Sequence, residues 1–190
     1  MSRLACVVWG LGAAILLLPG CRHPASKINV AQVTGPKLST KAVAYIAIPS
    51  DVFYKKELAV DSGRQTATVV RDTFAKYLRQ AYIGRHVETF VEALETGRTH
   101  RCTYLVYLTV LKWEDHATEF TGVRDKVQIK IQVADVPSGD VLHSTILEAV
   151  GPWMTSGGAT PGDILREPVG KYVASLFQVI HTPTALPRTP

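Results

Sequence analysis

The stretch from Thr103 to Gly151 leaves a chain like this few ways to fold. It opens as TYLVYLTVLKWEDHATEF, breaks at Gly122, continues as KVQIKIQVADV, breaks again at PSGD and ends as VLHSTILEAVG. In the second segment Val127, Ile129, Ile131 and Val133 alternate with Gln128, Lys130 and Gln132. That period of two places apolar side chains on one face of a strand and polar ones on the other. Pro137-Ser138-Gly139-Asp140 tolerates tight-turn dihedrals, so the second and third segments form a hairpin. The first segment is different. Leu105, Tyr107 and Leu111 alternate with Tyr104, Val106, Leu108 and Val110, so both faces are apolar, as in a strand covered on both sides. After Lys112 the run turns polar as Trp113-Glu114-Asp115-His116, and the strand is expected to leave the core there. The three segments predict an antiparallel meander that carries most of the core.

The flanking sequence supplies what covers it. AVAYIAIP, residues 42–49, is a short apolar run closed by proline and predicts a buried strand. From Ser62 on, Thr66, Val69, Val70, Phe74, Tyr77, Leu78, Ala81 and Tyr82 recur at three- and four-residue spacing. That is one apolar face of a helix, expected to run until Gly84 ends it. A short strand over 86–89 and a brief helix over 91–96, stopped by Gly97, lead into the meander. Beyond it, Thr160, Pro161 and Asp163 form a helix entry: a capping hydroxyl, a proline in the first turn and an acid near the positive end of the dipole. Ile164, Leu165, Val169, Tyr172, Val173 and Leu176 give this last helix its apolar face, with Pro168 expected to kink or restart it. The order predicts an α+β fold: a mixed sheet of about five strands ending in the three-stranded antiparallel meander, with helices packed on the sheet.

The N-terminus is of another kind. Arg3 followed by CVVWGLGAAILLL has the charge and apolar run of a secretory signal, too short for a transmembrane helix of about 20 residues. It ends in Leu18-Pro19-Gly20-Cys21, which resembles the lipobox of bacterial lipoproteins. That resemblance implies a signal peptide over 1–20 and a diacylglycerol on the Cys21 thiol, the protein's attachment to a membrane. Residues 21–41 read as a flexible tether, 42–180 as a single domain and 181–190 as a disordered tail. Of the three cysteines, Cys6 leaves with the signal and Cys21 carries lipid, so Cys102 has no partner for a disulfide. It is expected to be a small buried residue, and a catalytic pairing with His100 is the lesser reading. The formal charge of +5 is spread along the chain without the basic cluster of a nucleic-acid binder.

Glu114, Asp115, His116 and Glu119 form the one dense ionisable cluster. In an extended chain Glu114 and His116 share a face and Asp115 takes the other, so they do not converge on a metal without a bulge. Neither a metal nor another cofactor is expected. The Thr155-Ser156-Gly157-Gly158 loop ahead of a helix can offer N–H groups to an anion, or can simply be a turn into a capped helix. In an unbroken strand Trp113 lies on the face of Leu111 and Tyr107. Either it closes the rim of the core and positions the Glu114–Asp115 corner, or it joins Phe120 and Trp153 as an exposed contact surface. The function expected is a non-enzymatic binding or accessory module that docks an envelope protein or cell-wall component. Its binding surface would draw on Trp113, Glu114, Asp115, His116, Phe120 and Trp153. The alternatives are a small periplasmic hydrolase using Asp115 or His116, and a purely structural lipoprotein.

LKWEDHATEFTG, the KVQIKIQV strand and PWMTSGGATPGDIL before the last helix together resemble a family of bacterial lipoproteins grouped as domain of unknown function 4823. The likeness covers roughly residues 42–178, and Trp113-Glu114-Asp115 is its most specific part. It implies an envelope lipoprotein and assigns no activity, substrate or catalytic residue. Arg22 stands after the lipidated cysteine, where many enterobacterial lipoproteins held at the inner membrane have aspartate. By that resemblance the protein is expected at the outer membrane of a Gram-negative cell, facing the periplasm.

Overall fold

A first strand, β1 (Val43–Ile48), is buried along its whole length, as a strand covered on both faces must be. In the computed structural model, which describes residues 35–116, 123–151 and 160–177, it lies inside a five-stranded sheet. The signal peptide, Cys21, the tail over 181–190, the 155–158 loop, Glu119, Phe120 and Trp153 fall outside the described residues.

The other strands of this sheet are β4 (Gln80–Val87), β5 (Tyr104–Glu114), β6 (Lys126–Asp135) and β7 (Val141–Val150). Their spatial order is β4-β1-β5-β6-β7. β1 runs parallel to both β4 and β5, while β5–β6 and β6–β7 pair antiparallel. The sheet is therefore mixed, and the fold is α+β. A separate two-stranded hairpin, β2 (Phe53–Tyr54) with β3 (Glu57–Leu58), follows β1.

Three helices flank the sheet among the described residues: α1 (Ser62–Phe74), α2 (Phe90–Thr99) and α3 (Pro161–Phe177). Parallel crossovers are almost always right-handed. The chain moves outward from β1 to β4 through α1, then back across β1 to β5 through α2. Two right-handed crossovers in opposite directions put their helices on opposite faces. The packing follows: α1 and α3 cover a core of Ile46, Val106, Leu108, Ile129, Ile131 and Leu147, and α2 covers Val43, Tyr45, Leu105 and Ala134 on the other face. β5 is apolar on both faces because it lies between the two layers.

The structure departs from the sequence reading in several places. α1 stops at Phe74, ten residues before Gly84, and the chain turns through Lys76–Leu78 into a strand. Without β4, one buried edge of β1 would keep unpaired N–H and C=O groups, so pairing there outweighs the helical spacing. Leu78 and Tyr77 still pack: Leu78 is buried, and the Tyr77 ring stacks on Phe177 at 5.1 Å. The strand expected over 86–89 is thus the end of a longer one. Thr89 instead opens α2 in a capping box with Glu92. Gly97 lies inside α2 rather than ending it; a Cβ there would meet Val136 Cγ2 at 3.2 Å, so it lets the helix lie close to the sheet. α3 does not restart at Pro168 but runs through it as one helix. Packing also begins before residue 42: Leu38 is buried, and its N–H donates to the Leu176 carbonyl.

Candidate functional site

β5 does not leave the core at Lys112. Its pairing with β6 shifts between Val110 and Lys112, so Leu111 is the extra residue of a bulge. A one-residue slip carries every later side chain to the opposite face. Leu111 is left exposed, and Trp113 passes from the expected face to that of Val106 and Val110, opposite Val127. It is 5% exposed and belongs to the main core. Trp113 is therefore not a surface aromatic.

The residues after it are placed one by one. Glu114 is partly buried and pairs with Lys112 at 2.8 Å. Asp115 is exposed at the mouth of a cavity. His116 is drawn inward by two residues that the sequence reading passed over. Its backbone N–H donates to Asp125 Oδ1 at 2.7 Å, and its ring Nε2 is 2.7 Å from the Tyr54 hydroxyl. The Tyr54 and His116 rings meet edge-on with centroids 5.3 Å apart. Nδ1 stands 3.7 Å from Asp125 Oδ1, beyond hydrogen-bond reach, and finds no hydrogen-bond partner among the described residues. Asp125 is buried, and desolvation pushes its carboxyl above the usual range, against the opposing pull of the His116 N–H. Tyr54 is 62 positions from His116, and no local spacing announces such a pair.

The cavity, about 250 Å³, lies where the β2–β3 hairpin, the start of α1, the end of β5 and the start of α3 come together. Its lining is mixed: Leu58, Val60, Trp113 and Pro161 are apolar, and Glu57, Gln65, Asp115 and Thr160 polar. The hairpin holds its place because Asp51 reaches the N-terminus of α1. The Asp51 carboxylate accepts from Gly63 N at 2.8 Å and from Asp61 N at 3.1 Å. The hairpin's outer side is apolar: Phe53 is 68% and Val60 69% exposed, with Leu58 opposite Phe53 in register. Lys55 and Lys56 form its turn. A cavity of mixed lining beside exposed apolar side chains can seat a partner's side chain.

The remaining candidates resolve simply. Cys102 is buried, and burial pushes its thiol pKa up, away from the thiolate that a nucleophile needs. His100 meets it only through its carbonyl, at 3.9 Å from Sγ. Among the described residues no three His, Cys, Asp or Glu side chains gather where a metal could be held. No helix among them is long and apolar enough to cross a membrane.

The model of the family described as "Domain of unknown function (DUF4823)" matches residues 36–176. No curated protein matches the sequence. Among solved structures, the PelC dodecamer from Paraburkholderia phytofirmans is similar at 20% identity and a TM-score of 0.61, over 80% of this chain and 97% of that one. A variant of the same dodecamer gives 17% identity and 0.62, over 80% and 98%. The hypothetical protein CT253 from Chlamydia trachomatis gives 16% identity and 0.49, over 72% and 96%. At these identities the likeness concerns the fold.

Proposed function

The chain belongs to the DUF4823 family, and we propose that it is a lipid-anchored accessory protein of the bacterial envelope that works by docking a partner rather than by catalysis. The observation that carries this reading is the apolar rim of the hairpin. Phe53, Leu58 and Val60 stand exposed beside a cavity that can take an anchoring side chain. Contiguous exposed apolar side chains around a pocket are what partner surfaces are made of. The lipobox-like Leu18-Pro19-Gly20-Cys21 supports the anchor, and Arg22 supports placement at the outer membrane, facing the periplasm.

The hydrolase reading is weaker on its own residues. His116 does not line the cavity: its Nε2 is engaged by Tyr54 and its Nδ1 is buried, while Glu114 is paired with Lys112.

A photo-crosslinking residue placed at Val60 in intact cells tests the docking surface. A discrete crosslinked product is expected from Val60, and none from an exposed control position such as Arg79 on the other side of the domain. Products of equal yield at both positions would sink the proposal.

A further inference from the structure

The second face of the sheet is only half roofed. Among the described residues α2 packs over β1 and β5, and no helix covers the part of that face over β4. A cleft of about 480 Å³ lies there, within the roughly 300–1,000 Å³ that small-molecule sites occupy. Gly84 makes it. Its backbone is in an ordinary negative-φ conformation, so what glycine supplies is space. A Cβ at this position would stand 2.9 Å from the Tyr45 hydroxyl and 3.5 Å from Glu88 Oε2.

Each wall of the cleft has a distinct chemistry. At its inner end Glu88 is only 6% exposed, and its carboxylate accepts from the Tyr45 hydroxyl and, at 2.5 Å, from the Thr96 hydroxyl. Burial and the neighbouring carboxylate hold the Tyr45 hydroxyl's pKa far above its usual value, so it stays a donor. A carboxylate has about four lone-pair sites, and these two hydroxyls leave acceptor capacity beside the cleft. Rings form the next wall. His100 stacks on Tyr45 with centroids 6.5 Å apart and leans over Tyr82 at 6.1 Å, while Tyr82 itself is 40% exposed. Arg85 and His86 line the remaining side.

An apolar ligand would leave the Glu88 carboxylate desolvated and short of partners, which costs free energy. A strongly charged ligand of either sign would meet a like charge, from Glu88 on one side or Arg85 on the other. What fits is a ring that is apolar on its flat faces and carries hydroxyls at its edge. We propose that this cleft, made by Gly84 and lined by Tyr82, His100 and Glu88, binds a saccharide unit of a glycan. The sugar's C–H face lies on the Tyr82 and His100 rings, one hydroxyl donates to Glu88, and others accept from Arg85 and His86. The inference rests on the envelope reading for the presence of glycans and is independent of the hairpin surface.

Chitotetraose, titrated calorimetrically into the full-length protein in detergent micelles, is the probe, with cosedimentation on purified peptidoglycan sacculi as the second measurement. Saturable binding is expected, at least tenfold weaker in Tyr82→Ala and in Glu88→Gln. Tyr82→Ala alters an exposed side chain, and an unchanged melting curve establishes that it folds. Gly84→Val, which fills the cleft, should abolish binding; if it fails to fold, the other two variants decide. No saturable binding of chitotetraose together with no retention on sacculi overturns the proposal. Binding that survives both Tyr82→Ala and Glu88→Gln overturns it as well. A Phe53→Ser/Val60→Ser double variant separates the two readings: it should lose partner crosslinking and keep glycan binding.

Discussion

Trp113 shows what a single inserted residue can do. The sequence placed it correctly at the end of a strand, but on the wrong face, because period-two alternation cannot reveal a bulge at Leu111. Its burial still follows from chemistry, since a large aromatic near a charged strand end gains most by covering apolar surface. Trp113→Ala should lower the unfolding free energy by about 3 kcal/mol, the scale for truncating a buried aromatic, because the cavity left behind lies in the main core. Urea denaturation of the wild-type and variant proteins measures it, and a loss under about 0.5 kcal/mol is incompatible with this packing. Glu114, Asp115 and His116 were legible as a polar corner. Their partners were not: Tyr54 and Asp125 reach His116 through tertiary folding, and a one-dimensional pattern holds no trace of that.

The elements were legible where one force dominated. β6, with its clean alternation, and β1, with its unbroken apolar run, appear where the pattern placed them. α1 was overextended because Tyr77, Leu78, Ala81 and Tyr82 continue helical spacing while serving a turn and a strand. The competing term, the need of β1 for a second parallel neighbour, is visible only once the sheet exists. The start of α1 carries another long-range device. Asp61, its N-cap residue, sits at φ 64° and makes no side-chain cap, so the carboxylate of Asp51 does the capping from the preceding loop. Asp51→Ala should cost about 1 kcal/mol, as for loss of an N-cap, and loosen the β2–β3 hairpin with it. Hydrogen exchange read residue by residue would then show faster exchange at Gly63 and Ala59 than in the wild type. Unchanged rates at Gly63 would mean that the cap contributes nothing.

At the scale of the molecule, the anchor proposed above is lipid on the thiol of Cys21. Cys21→Ser should move the protein from the membrane to the soluble fraction after a high-salt wash and abolish palmitate labelling. Retention on the membrane would refute the anchor, and recovery of the wild type in the inner-membrane band of a sucrose gradient would refute the sorting inferred from Arg22. Where the described chain begins, residues 35–37 pack on a titratable ring. The His143 ring, buried on β7, donates from Nε2 to the Pro36 carbonyl at 2.8 Å, and Gly35 lies so close that a Cβ would be 2.6 Å from His143 Cε1. Burial, aided by the nearby Lys37 and opposed by the hydrogen bond to Pro36, pushes the His143 pKa below its ordinary value. The unfolded chain therefore takes up a proton more readily than the folded one. The stability this ring contributes is fully present above about pH 6.5, the ordinary histidine value, and is lost as pH falls through the lower folded value. Denaturation midpoints should thus fall between pH 7.5 and 5.5, and His143→Gln should remove part of that slope because glutamine does not titrate. Parallel midpoint-versus-pH curves for the two proteins would show that His143 is not what ties the tether's end to the sheet in a pH-dependent way.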